Sequence, residues 1–464
     1  MPIYLTIFAT ALAATWLLTP LARRVALSRG ITDRPDVRKQ HRAPVPYLGG
    51  TAVFGGLLVG VVALMLLARD PAASFAKLDH RTLAVVLGAA AMFCTGLLDD
   101  LHNLRVRHKL LAQIGAATAM WIAGVRLDGI HLTADLSLDF GIFSYPLTVL
   151  WIVGITNAIN FIDGLDGLAS GIAVIAGSAI AWFAYQGGNY PVAALLALLV
   201  GSLLGFLPHN RHPARIFLGD AGSLPIGFLL ATCALATNTK SAALISLVGP
   251  ALALALPILD LCFAVARRWI ERRSLFSADR NHIHHRLLAL GFNHPNTVRI
   301  LWAECAILTL SAVLLLQLGS EVWQRLLVVA AILGAHVWFF RATGAVRLRE
   351  SFAALRAANA RAQTLRWHQK IFDDIDLHFR AARSVDAWWN AMADACEKLQ
   401  VHRAELTLPE GFDHGPRERF WSSDRAPGTA TLRTTLVLPL GRHGGKRPPI
   451  FTPAPSRPLS PYVP

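Results

Sequence analysis

Charge is scarce in this 464-residue chain, and cysteine is scarcer. Charged residues make up 16% of the sequence, where a soluble globular protein carries about a quarter. A water-soluble body is therefore excluded for most of its length. The five cysteines (Cys94, Cys233, Cys262, Cys305 and Cys396) show no paired spacing, and there is no CxxC or HExxH. Neither a disulfide framework nor a zinc site is indicated. No internal repeat is visible, which removes the main signature of an inverted-repeat transporter. No Lys or Arg precedes the first apolar run, and Arg23 and Arg24 follow it. That run reads as a retained helix with its N-terminus outside, not as a cleavable signal peptide.

What the chain has in abundance is apolar sequence: 54% hydrophobic residues and a mean hydropathy of +0.45. Eleven runs are candidates to cross a hydrocarbon core of about 30 Å: 3–20, 48–68, 82–98, 109–125, 144–160, 168–186, 191–207, 219–237, 241–265, 298–318 and 322–340. The basic residues between them alternate. Segment 21–47 holds Arg23, Arg24, Arg29, Arg34, Arg38, Lys39 and Arg42, and the loops after the third, seventh and ninth runs are also rich in arginine. The intervening loops are sparse. The positive-inside rule places the basic loops in the cytoplasm, and an odd number of spans puts the C-terminus there too. The net charge of +15 is then a topology signal with some attraction for anionic lipid or substrate, and it does not argue for nucleic acid.

After residue 340 the composition changes. Residues 341–464 carry nineteen Lys/Arg against twelve Asp/Glu and no further span. Residues 341–372 have helical periodicity and read as an exit helix or linker. Residues 373–440, with a helix near 384–400 and strand-like runs "RAELTL" and "TATLRTTLVLPL", suggest a small module. Residues 441–464 are proline-rich and read as a disordered tail. The fold class predicted is an all-α polytopic membrane protein of about eleven transmembrane helices with cytoplasmic active-site loops, plus a small C-terminal cytosolic α/β module.

Polar clusters interrupt the apolar text, all on the cytoplasmic side. "GLLDDLHNLRVRHKLLAQ" carries Asp99, Asp100 and Lys109. "NAINFIDGLDGLASG" carries Asn157, Asn160, Asp163 and Asp166. "FLPHNRHPARIFLGDAGS" carries Asn210, Arg215, Phe217 and Asp220. "SLFSADRNHIHHRLL" carries Arg280, His282, His284 and His285. Acids at a membrane edge are costly and mark function by default. Clustered carboxylates with amide oxygens suit a hard cation, Mg²⁺ or Mn²⁺, which takes one or two protein carboxylates and completes its shell with water and phosphate. Glycines in "DGLDGL" and "GDAGS" let backbone approach phosphate, and the Lys, Arg and His residues can neutralise charge on a leaving group. This set suits phosphoryl or phosphoglycosyl transfer with one lipid substrate. Asp260 reads more readily as a structural partner of Arg267 or a neighbouring loop than as a catalytic group.

From about residue 20 to 300, the motifs occur in the order "DxRKxHxxPVPxLGG", "LLDDLxNLxxxxKLLxQ", "NAINFIDGLDGLASG", "NxxPARIFLGDAGS" and "RRxxxxxSLFSADRNHIHHRLL". In this the chain resembles the polyprenyl-phosphate N-acetylhexosamine-1-phosphate transferases, cousins of phospho-N-acetylmuramoyl-pentapeptide transferase. The resemblance implies a Mg²⁺-dependent enzyme, with Mn²⁺ as an alternative, in the bacterial inner membrane. Its substrates would be undecaprenyl phosphate and a UDP-N-acetylhexosamine, and a homodimer is compatible with it. The implied catalytic set is Asp99, Asp100, Lys109, Asp163, Asp166, His282, His284 and His285. Asn157, Asn160, Asn210, Phe217, Arg215 and Arg280 would bind substrate, with Phe217 stacking on uracil. Asp220 would hold the metal, with Asp99 also available to it. "HIHH" in place of three consecutive histidines, together with "PVPYLGG", favours the hexosamine branch over the muramoyl-pentapeptide branch. An ion-coupled transporter is the rival from another class, disfavoured because transporter sites lie near the midplane.

Overall fold

The computed structural model describes residues 2–33, 44–67, 80–131, 137–237, 245–272, 282–315, 322–344, 348–399, 401, 403–407 and 418–422. Of the sequence-derived expectations, Arg280, the run "TATLRTTLVLPL" and the proline-rich end lie outside these residues. Contacts divide the chain into two units, Met1–Phe352 and Ala353–Pro464.

The first unit is helical. Its helices are α1 (Pro2–Ser28), α2 (Gly49–Leu67), α3 (His80–His102), α4 (Val106–Ile122), α5 (Ser144–Ile162), α6 (Leu168–Gln186), α7 (Tyr190–Asn210) and α8 (Asp220–Ala236). These are followed by α9 (Ile245–Ala253), α10 (Ala255–Ile270), α11 (Ile283–Ala289), α12 (His294–Leu315) and α13 (Val322–Ala342). Among the described residues, seven helices are long and apolar enough to cross a bilayer: α1, α2, α3, α5 with its leading turn, α6, α7 and α12. The chain is a polytopic membrane protein. The expected eleven full-length spans are not reached among these residues, for local reasons. Helices α4 and α8 have 17 residues each, and both begin in polar motifs. The described part of the run 241–265 falls on two helices, because Leu254 between them has φ −101° and ψ 7°. Helix α13 has 21 residues, and Leu326–Ala342 is its described apolar stretch.

Helix α8 is the centre of this unit. Every residue from Ala221 to Leu235 is buried, as expected of a helix apolar on all sides. Helices α3 and α5 make its most extensive contacts, and α2, α6 and α7 add others. Small residues permit backbone-to-backbone approach in such packing. A Cβ at Gly96 of α3 would stand 2.1 Å from the carbonyl oxygen of Asp220, and one at Gly50 of α2 would stand 2.1 Å from the Gly222 nitrogen. The N-terminus of α8 is thus pressed against the end of α3, and two motifs distant in sequence meet.

A short antiparallel ladder, β1 (Thr32–Asp33) with β2 (Val45–Pro46), precedes α2. It continues onto the segment before α8: Phe217 donates its N–H to the Pro46 carbonyl at 2.9 Å, and Gly49 donates to the Phe217 carbonyl at 2.9 Å. A second ladder, β3 (Gly129–His131) with β4 (Ser137–Asp139), precedes α5.

In the second unit, helix α14 (Leu348–Ala381) contributes most of its length, followed by α15 (Val385–Lys398) and the antiparallel pair β5 (Arg403–Thr407) and β6 (Glu418–Ser422). Ser384 caps α15 by accepting the Ala387 N–H at 3.1 Å. The predicted helix near 384–400 and strand "RAELTL" correspond to α15 and β5. β6 has no counterpart in the sequence reading.

Candidate active site

The end of α3 and the start of α8 build the charged centre. Gly219 has φ +72°, a conformation that favours glycine, and a Cβ there would meet Asp100 Oδ2 at 2.6 Å. Asp100 accepts the backbone N–H of Asp220 at 2.9 Å and of Ala221 at 3.0 Å. It therefore caps α8 from another helix, satisfying donors that a helix N-terminus leaves open. Its neighbour Asp99 faces elsewhere. Asp99 Oδ1 accepts the Leu104 N–H at 2.8 Å, and Oδ2 accepts Lys109 Nζ at 3.1 Å. The same Nζ reaches Asp220 Oδ2 at 2.9 Å. Asn160 completes the group, donating to Asp220 Oδ1 and to Ser223 Oγ, each at 2.8 Å.

Two carboxylates from separate motifs thus converge on one cationic nitrogen. The donor set, carboxylate and amide oxygens without sulfur, suits Mg²⁺. The Lys109 ammonium marks the position between Asp99 and Asp220 where positive charge is favoured, so the residues present fit the implied metal.

The "DGLDG" turn lies beside this centre. Asp163 closes α5 as its C-cap residue. Burial, reinforced by Asp220, Asp100 and Asp166, pushes its carboxyl well above the usual carboxylate range, and a hydrogen bond from the Gly219 backbone partly offsets this. Asp166 Oδ2 pairs with His212 Nδ1 at 2.8 Å and accepts the Ala214 N–H at 3.1 Å. His212 stacks on His294, with centroids 4.2 Å apart and planes 23° apart. The carboxylate and the two imidazoles are close enough to suggest a second metal position. Stacked rings, however, direct their nitrogen lone pairs alongside one another and not toward a common point. This trio is better described as a wall.

These residues line a cavity of about 1320 Å³ that includes Asp99, Asp100, Asn160, Asp163, Asp166, Asn210, Phe217, Asp220 and His285. Phe217 lies against Tyr47, with centroids 6.0 Å apart. Asn210 is 2% exposed. Its Oδ1 accepts from the Gly167 N–H at 3.1 Å and Ser170 Oγ at 3.0 Å, and its Nδ2 donates to the Ile216 carbonyl at 3.1 Å. It ties the Gly167 turn to the segment before α8. Asn157 donates to Gln113 Oε1 at 2.6 Å and to the Val153 carbonyl at 2.7 Å. Neither Asn157 nor Lys109 is among the residues facing the cavity space. Arg215 is exposed, and its carbonyl accepts from Arg23 Nε at 3.1 Å.

Of the histidine segment, His285 faces the cavity, while His282 and His284 are buried. Burial and the neighbouring histidines hold the His284 imidazole well below its ordinary value, so it is neutral. The sequence reading left His212, His294 and Ser223 unassigned. Their signals were a histidine beside proline in "NRHPAR", a further one in "GFNHPN", and the serine of "GDAGS".

The profile of glycosyl transferase family 4 matches residues 82–238, which contain the two acidic motifs and Asp220. A Bacillus subtilis protein named "probable undecaprenyl-phosphate N-acetylglucosaminyl 1-phosphate transferase" is 38% identical over 323 residues, 69% of this chain and 87% of the relative. A Mycobacterium tuberculosis decaprenyl-phosphate N-acetylglucosaminephosphotransferase is 36% identical over 331 residues, 65% of this chain and 80% of the relative. A phospho-N-acetylmuramoyl-pentapeptide-transferase of Symbiobacterium thermophilum is 33% identical over 326 residues, 66% of this chain and 92% of the relative. With its profile spanning both acidic motifs and relatives aligned over most of their length, the chain belongs to glycosyl transferase family 4.

Proposed function

We propose that this protein transfers N-acetylhexosamine-1-phosphate, most specifically GlcNAc-1-phosphate, from the UDP-sugar to undecaprenyl phosphate. A phosphate oxygen of the lipid attacks the β-phosphorus of the nucleotide sugar, the bond to the UMP oxygen breaks, and a lipid diphosphate-linked sugar and UMP form. The product would begin a lipid-linked envelope glycan. The observation that carries this reading is Lys109 held between Asp99 and Asp220, at 3.1 and 2.9 Å, where a membrane helix ends beside a large polar cavity.

Asp220 and Asp99 would hold Mg²⁺, which when bound supplies Lewis-acid stabilisation of phosphoryl charge. Asn160 orients Asp220 through Oδ1, and Asp100 fixes the backbone from which Asp220 projects. Lys109 offsets the repulsion that two carboxylates would exert on an incoming phosphate dianion. Asp99 would position that phosphate. Asp163, Asp166 and Phe217 line the volume available to the nucleotide, with Phe217 the group that stacks on the base. The asymmetry of basic loops supports a cytoplasmic site in a bacterial inner membrane.

The test is UMP release by the purified full chain supplied with undecaprenyl phosphate and a panel of UDP-sugars. UDP-GlcNAc should be turned over and turnover should stop with EDTA. Activity only with UDP-muramoyl-pentapeptide would move the protein to the cousin branch, and UDP-sugar uptake without UMP would overturn transfer altogether.

A further inference from the structure

A carboxylate inside α10 reaches the histidine segment. Asp260 is 4% exposed. Its Oδ2 pairs with His282 Nδ1 at 2.9 Å, and its Oδ1 accepts the Ile283 backbone N–H at 2.9 Å. A carboxylate only accepts, so the His282 ring carries a proton on Nδ1. One side chain thereby fixes both the ring and the residue that opens α11.

The contacts continue to the cavity. His282 stacks with Phe161 near the end of α5, centroids 5.5 Å apart, and with His284, centroids 5.9 Å apart and planes 4° apart. His284 in turn packs on His285 at 4.2 Å. A Cβ at Gly164, in the "DGLDG" turn, would stand 2.9 Å from His284 Nε2. His285 and Gly164 both line the cavity. A buried acid in an apolar helix is costly unless its oxygens are bonded, and both oxygens of Asp260 are directed to this segment.

We propose that Asp260 is a positioning residue for the transfer reaction: it holds the His282 ring in one tautomer and orientation and, through the stacked histidines, sets His285 at the cavity wall. This rests on the transfer reading above. Asp260→Asn is the informative variant because it is nearly isosteric. An amide has one oxygen, and the buried Ile283 N–H needs it, so the NH₂ group is left facing His282 Nδ1. The ring must then accept there, and its proton moves to Nε2. The same exchange in a Ser-His-Asp triad leaves geometry intact while inverting the tautomer.

Two measurements on the full chain decide it. Imidazole ¹⁵N spectra of histidine-labelled protein, with His282 identified by its loss in His282→Gln, should show an Nδ1–H tautomer in the wild type and Nε2–H in Asp260→Asn. This readout needs no substrate. In turnover, Asp260→Asn should lower kcat roughly tenfold or more with KM for the UDP-sugar and the melting temperature nearly unchanged. His282→Ala should lose at least as much, and adding Asp260→Asn to it should cost nothing further. An Nε2–H ring in the wild type, an unchanged kcat in Asp260→Asn, or full multiplication of the two losses would each overturn the proposal. Were the wild type to release no UMP from any UDP-sugar, the transfer reading would fail and the positioning role with it, while the spectra would still decide the pairing.

Discussion

Asp163 and Asp220 sit in one charge cluster and answer different questions about it. Six acids line the cavity, Asp99, Asp100, Asp163 and Asp220 together with Asp33 and Asp166, and Lys109 bonds two of them, Asp99 and Asp220. Asp220→Asn should reduce transfer about 10²–10³-fold, the scale of removing a group that supports developing charge, with the protein still inserted and folded. UMP release at saturating Mg²⁺ measures this, and near-normal activity would remove Asp220 from the metal position. For Asp163 the consequence is a pH dependence of stability. Its carboxyl is raised by burial and by neighbouring acids, so the folded protein holds its proton over a range where the unfolded chain, titrating near about 3.9, has released it. The slope of stability with pH follows protons bound in the unfolded minus the folded state. It is therefore negative: this stability is present at low pH and is lost as pH rises toward the raised value. Without divalent cation, the melting temperature in detergent should fall from pH 5 to pH 8 more steeply in the wild type than in Asp163→Asn. A wild-type melting temperature that rises with pH as much as the variant's would contradict the assignment. At this scale much of the site was legible, because acids and amides in apolar sequence have few structural reasons to be there. The division of labour was not. Asp99 and Asp100 are adjacent and chemically identical, and only the approach of α8 assigns one to a helix cap and the other to Lys109.

At the scale of elements, the close approach of α3 to α8 determines whether the acidic motifs form one site. The obstacle a side chain would meet at Gly96 is the Asp220 carbonyl, 2.1 Å from a Cβ, and backbone in a packed helix has no rotamer by which to move aside. Gly96→Ala should therefore force the helices apart, costing about 1–3 kcal/mol as overpacking typically does, and should pull Asp99 and Lys109 away from Asp220. Activity should fall at least as far as stability does; a variant with wild-type turnover and melting temperature would show that the ends of the two helices are free to adjust. The sequence indicated helices here readily, since long apolar runs admit few alternatives in a membrane. Among the described residues its expected spans are shorter as helices where an apolar run conceals a break, as at Leu254 between α9 and α10, or where the first turn belongs to the site, as at Asp220 in α8. Hydropathy averages over a window and registers neither. The β1–β2 ladder, two residues on each strand, was too short to leave a periodic signal, yet it joins the "PVPYLGG" segment to Phe217.

Across the whole molecule, every described residue of the charged centre, the cavity wall and the histidine segment lies in the unit Met1–Phe352. The family profile ends at residue 238, and the Bacillus relative aligns with 69% of this chain while 87% of its own length is covered. The second unit has a different character: α14 is dense in arginine, α15 is held by a serine cap, and Lys398 pairs with both Asp374 at 2.5 Å and Asp394 at 2.6 Å. Such exposed pairs stabilise a surface modestly and offer no phosphate chemistry. A chain ending at residue 372 should consequently still insert and still make lipid-linked sugar at a rate within a few-fold of full length. The cut shortens α14 by nine residues relative to its end at Ala381. Fraying of a charged helix terminus costs little, because most helical stability comes from packing of an apolar face. Membranes with matched amounts of the two proteins, assayed for both UMP and the lipid product, provide the comparison. If the truncated protein is stably inserted yet inactive, the second unit must contribute a group or a restraint to the cavity. Retained activity would instead assign it a role outside the transfer step, such as regulation or contact with a partner.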